Sequence, residues 1–82
     1  MPQIAFIGSK DSRNDTKNKG SPTVFANGLG VVRLGDKDTR NDTMVEASST
    51  VYANNLRVCR VGDRDSRNDT IVSGSNTVVV GG

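Results

Sequence analysis

Hydrophobic residues along this chain fall in short runs divided by longer polar stretches. One series is Ile4-Ala5-Phe6-Ile7, Val31-Val32-Arg33-Leu34 and Val58-Cys59-Arg60-Val61. A second is Val24-Phe25-Ala26, Val51-Tyr52-Ala53 and Val78-Val79-Val80. The runs are short and rich in β-branched residues, and no stretch sustains a 3.6-residue period. That pattern predicts strands and no helix. The polar stretches, about 9–20, 36–47 and 63–74, are dense in Asp, Asn, Ser and Thr. Such side chains bond to nearby backbone groups and can hold a loop without a core. Turns are expected at Asn27-Gly28-Leu29-Gly30 and Asn54-Asn55-Leu56-Arg57, where Asn and Gly tolerate positive φ. In the first series the inward face is expected to be Ala5/Ile7, Val32/Leu34 and Cys59/Val61, with Phe6, Arg33 and Arg60 half-solvated.

The runs recur because the chain repeats itself. Gly8-Ser9-Lys10-Asp11-Ser12-Arg13-Asn14-Asp15-Thr16 returns at Gly35–Thr43 and again at Gly62–Thr70, both times after 27 residues. Ser21, Thr23 and Val24 keep the same spacing, and nine of the 27 positions are identical in all three copies. Three units, about 1–27, 28–54 and 55–82, account for the whole of this single domain. An open stack of repeats needs capping ends, and neither end reads as a cap. The alternative is an all-β fold closed around a pseudo-three-fold axis. The last run (Thr77 to Val80) then lies beside the first (Ile4 to Ile7), and Met1-Pro2 with Gly81-Gly82 replaces a third turn. Closure also hides strand edges.

Composition limits what holds such a fold together. At 82 residues, with 33% hydrophobic positions and three aromatic residues, the core is small. One cysteine makes no internal disulfide, and the absence of histidine removes the usual zinc ligand sets and His-dependent catalysis. Cys59 aligns with Ala5 and Val32 and reads as a small buried hydrophobe. No apolar run spans a membrane, and the first residues lack the pattern of a signal peptide. Net charge is +2 and each basic residue lies near an Asp, so no basic footprint for nucleic acid is expected. Carboxylate pairs such as Asp63 and Asp65 sit beside Arg64 and Arg67 in polar loops, which does not suggest an enzyme.

Gly20-Ser21-Pro22-Thr23-Val24-Phe25-Ala26-Asn27-Gly28 leads into Leu29-Gly30-Val31-Val32-Arg33-Leu34-Gly35-Asp36, Ser48 to Asp63 follows the same order, and the last copy ends Gly74-Ser75-Asn76-Thr77-Val78-Val79-Val80-Gly81-Gly82. Through these stretches nearly the full chain resembles the PAAR-repeat proteins, the conical tips of contractile injection machines in phage tails and type VI secretion. Val-Val-Arg and Val-Cys-Arg stand where the family has Ala-Ala-Arg, and Gly30 and Arg57 stand where it has proline. The resemblance implies a small cone-like structural protein that caps and sharpens a homotrimeric β-helical spike, one tip per trimer. It would meet a target outer membrane transiently, in a virion baseplate or, alternatively, in a bacterial secretion apparatus assembled in the cytoplasm. Family members hold an apex metal through histidines and a cysteine after the Gly-Asp. Here Arg13, Arg40 and Arg67 occupy that stretch, so no cofactor is expected.

The repeated loops then supply candidate residues. Arg13, Arg40 and Arg67 with Asp15, Asp42 and Asp69 are expected to form a rigid apex network. A less favoured reading places an oxygen-ligand ion site at Asp15, Asp42, Asp69, Asn14, Asn41 and Asn68, as in a small Ca2+-binding β-repeat module for adhesion or scaffolding. Asn27, Gly28, Leu29, Asn54, Asn55, Leu56 and Arg57 are expected to form the docking base, because leucine recurs there in exposed turns.

Overall fold

The computed structural model describes residues 1–81; Gly82 lies outside them. The described residues contain no helix. Two antiparallel hairpins join β1 (Phe25–Ala26) to β2 (Leu29–Gly30) and β3 (Tyr52–Ala53) to β4 (Leu56–Arg57). Each turns on two residues with positive φ: Asn27 (54°) and Gly28 (76°), then Asn54 (56°) and Asn55 (66°). Positive φ at both central positions is the geometry that matches strand twist. The turns are therefore tighter than the sequence suggested. Leu29, Gly30, Leu56 and Arg57 belong to the returning strands, not to the turns.

The rest of the β structure is built from isolated bridges, and these link the repeats in cyclic order. Phe6 pairs with Val31, Arg33 with Val58, and Arg60 with Ile4. Lys17 pairs with Asp38, Met44 with Asp65, and Ile71 with Asp11. The chain ends also meet. Gln3 pairs with Val79, the counterpart at the 27-residue shift of Phe25 with Gly30 and Tyr52 with Arg57. The last run thus lies beside the start of the chain, at Pro2 to Ile4 instead of along Ile4 to Ile7: Ile4 N–H donates to Val78 O (3.0 Å) and Val80 N–H to Pro2 O (2.8 Å).

Two apolar clusters succeed one another through the molecule. The first holds Ile4, Val31 and Val58 with Ala26, Ala53 and Val80, and Phe6 packs against it. The second holds Ala5, Val32 and Cys59 with Met44 and Ile71. Adjacent residues of a strand point to opposite faces, so Ile4 and Ala5 enter different clusters and both are buried. This corrects the expected faces. Ile7, Leu34 and Val61 are only half-buried, while Ile4, Val31 and Val58, assigned to neither face, are fully inside. A single inward face is the pattern of a sheet covered on one side; here the run passes between two cores.

Candidate functional site: a caged ammonium, a ring of ion pairs and an exposed apolar end

Beyond the second cluster lie the three polar loops, and each is shaped by its first aspartate. Asp11 Oδ1 accepts N–H bonds from Arg13 (3.0 Å) and Asp15 (2.9 Å). Asp38 Oδ1 does the same for Arg40 and Asp42 (both 2.9 Å), and Asp65 Oδ1 for Arg67 (2.9 Å) and Asp69 (3.1 Å). Asn14, Asn41 and Asn68 sit in the left-handed region (φ 69°, 66° and 69°), which Asn visits more readily than most residues and which reverses the chain inside each loop. The second oxygens of the three aspartates converge. Asp11, Asp38 and Asp65 Oδ2 lie 3.2, 2.9 and 3.0 Å from Lys17 Nζ. All four side chains are essentially without solvent contact, and each carboxylate carries one bond from the ammonium and two from the backbone.

Lys17 occupies the position that Met44 and Ile71 fill in the other units. Its stem replaces a core side chain and its head meets three carboxylates, one from each repeat. Burial opposes the charge of Lys17, but its hydrogen bonds to Asp38, Asp65 and Asp11 outweigh it and raise the ammonium pKa to about 12. Burial likewise opposes ionisation of Asp38, yet the bond from Lys17 and the backbone N–H groups of Asp42 and Arg40 hold its carboxyl below the ordinary value.

A second set of charges lies around this centre. Arg13 Nε bonds Asp69 Oδ2 (3.1 Å), Arg40 Nε bonds Asp15 Oδ2 (2.9 Å), and Arg67 Nε bonds Asp42 Oδ2 (3.1 Å). Each arginine reaches a neighbouring repeat. The guanidinium side chains are half exposed, at 47–49%, while their aspartates are 11–15% exposed. Replacing Asp15, Asp42 and Asp69 together by Asn is expected to lower the melting temperature by about 5 °C, because half-exposed pairs contribute modestly. Thermal melts in low and high salt check this: the gap between variant and parent should narrow in salt.

Asp15, Asp42 and Asp69, considered for an ion site, come together in pairs, each pair with one inner aspartate within 4.8 Å: Asp15 and Asp69 with Asp11, Asp15 and Asp42 with Asp38, and Asp42 and Asp69 with Asp65. Asp15, Asp42 and Asp69 are each held by an arginine, and Asn14, Asn41 and Asn68 serve backbone reversal. The carboxylates that share a centre are Asp11, Asp38 and Asp65, within 4.8 Å of one another, and the Lys17 ammonium lies among them. Sequence reasoning missed this centre. Its signal was an invariant Asp at 11, 38 and 65 together with a lysine aligned to methionine and isoleucine. Cys59 is buried, its thiol pushed up by burial, and it donates weakly to Glu46 O (3.4 Å).

The docking-base residues divide. Asn27 and Asn54 lock repeats together: Asn27 Nδ2 donates to Thr77 Oγ1 (2.9 Å) and its Oδ1 accepts from Ser75, while Asn54 Nδ2 donates to Thr23 Oγ1 (2.9 Å) and its Oδ1 accepts from Ser21. At the end of the third unit, which has no turn, Gly81 stands where Asn27 and Asn54 stand in the others, and its carbonyl oxygen accepts from Ser48 Oγ (3.0 Å). Gly28 and Asn55 are exposed, and Arg57 is half-buried. Leu29 and Leu56 are 41% and 40% exposed beside the first core, paired to the buried Ala26 and Ala53. Further exposed apolar side chains follow the repeat: Phe25, Tyr52 and Val79, and Val24, Val51 and Val78. No protein-family model matches the chain, and no curated protein matches it.

Proposed function

We propose that this protein is a rigid, non-catalytic tip: a cone-like body of three β repeats, closed around a pseudo-three-fold axis, that caps a homotrimeric β-helical spike in a contractile tail or related injection apparatus. The observation that carries the reading is the exposed apolar surface at the hairpin end, repeated in near-equal measure. Phe25, Tyr52 and Val79 expose 59%, 58% and 51% of their surface, and Val24, Val51 and Val78 expose 40%, 38% and 37%. An apolar surface presented at 27-residue intervals offers each of three identical partner subunits a similar contact. The cyclic bridges between repeats and the pairing of the chain ends support closure. The caged ammonium and the arginine ring support stiffness at the opposite end, since satisfied polar networks rigidify a fold.

Stoichiometry tests the reading. Co-expressed with a trimeric spike from its own genomic neighbourhood, the chain is expected to co-purify at one copy per trimer, read by native mass spectrometry. Three copies per trimer, or no complex, would overturn it.

A further inference from the structure

The sequence intersperses acids and bases, but the structure sorts them. All eight aspartates are buried or half-buried, and Glu46, whose Oε1 accepts the Arg64 N–H (3.0 Å), is the one exposed acidic side chain among the described residues. The loop cations are exposed instead. Lys10, Lys37 and Arg64 occupy one equivalent position and are exposed; Arg13, Arg40 and Arg67 occupy another and are also exposed. Each of the latter engages its aspartate through Nε, so the fork of two terminal amino groups is not committed to that pair. A net charge of only +2 therefore conceals a loop end that presents six repeated cations at contact range.

We infer that the loop end of the protein is a binding surface for phosphate-bearing lipid headgroups, with Arg13, Arg40 and Arg67 as one set of contacts and Lys10, Lys37 and Arg64 as another. The choice of a membrane among anionic surfaces rests on the tip reading, in which this end leads. Three features favour it over nucleic acid. The cations recur around the loop end instead of running as a stripe that could track a phosphate backbone. No aromatic residue lies within the three loops, so bases have nothing to stack on there. Guanidinium forks and lysine ammoniums suit a two-dimensional field of phosphates, to which each cation contributes near the surface.

The test uses the full chain and vesicles of phosphatidylcholine with or without phosphatidylglycerol, read by co-sedimentation. Binding is expected only with phosphatidylglycerol, and should weaken more than about tenfold between low and physiological salt. Substituting Lys10, Lys37 and Arg64 together by Gln, which touches none of the ion pairs, should weaken partitioning by about 100-fold or more. The salt response of the parent chain stands even if that variant folds poorly. Equal binding to both vesicle types, salt-independent binding, or a folded triple variant that binds unchanged would overturn the proposal. So would tighter binding to single-stranded or duplex DNA than to the anionic vesicles. The Leu29→Asp/Leu56→Asp variant should still bind vesicles, which separates failure of this surface from failure of spike docking.

Discussion

Lys17→Met is expected to destabilise the protein by about 4 kcal/mol at neutral pH, the cost of leaving buried charges without their partner. It is also expected to reverse the response to acid. Methionine is what the second repeat carries at this position, so the stem is replaced with little change of volume. What is lost is the ammonium 2.9–3.2 Å from three buried carboxylates. In the parent, Lys17 titrates higher folded than unfolded, so its contribution is present below 10.5 and lost as pH rises through about 12. Asp38 titrates lower folded than unfolded, so its contribution is present above 3.8 and lost as pH falls through its depressed value. The parent should therefore weaken in acid. In Lys17→Met the three carboxylates face one another with no ammonium between them, and uptake of a proton among them relieves the repulsion. The folded state then binds more protons, and stability increases as pH falls from 7 toward roughly 5. Urea melts across pH check the sign. Parallel pH profiles for parent and variant would remove the caged ammonium from the account of stability.

Leu29→Asp with Leu56→Asp is the second large effect, and it falls on association alone. Both leucines are about two-fifths exposed and lie at the first residue of a returning strand. A buried carboxylate at both leucine contacts should weaken spike binding by about 1000-fold, since central apolar contacts each contribute about 2 kcal/mol or more. The melting temperature should stay within a few degrees, because exposed positions away from the core tolerate substitution. A folded double variant that still binds the spike would move the docking surface elsewhere, with Phe25, Tyr52 and Val79 the next residues to change.

Much of this arrangement is written plainly in the chain. The 27-residue period, the Asn27-Gly28 and Asn54-Asn55 reversals and the helix-free character all follow from local rules that need no tertiary knowledge. The layering of the core does not, because burial of both Ile4 and Ala5 depends on what covers each face of the strand. Lys17 is the sharper case. A lysine in a polar loop is normally solvated, and burying one is costly unless partners from distant positions converge on it. Those partners lie 6, 21 and 48 residues away. Alignment of the repeats contained the clue; reading the loops one at a time did not.

The caged lysine also explains why the three units are joined in one polypeptide. Three carboxylates can share a single ammonium only if one unit supplies a lysine and the other two do not. A homotrimer of separate 27-residue units would bring three lysines or none to the same centre. Tandem fusion lets one copy differ from its siblings at a position they all share. The chain can therefore keep a near-symmetric exterior while its interior is odd, an asymmetry that no assembly of identical subunits can encode.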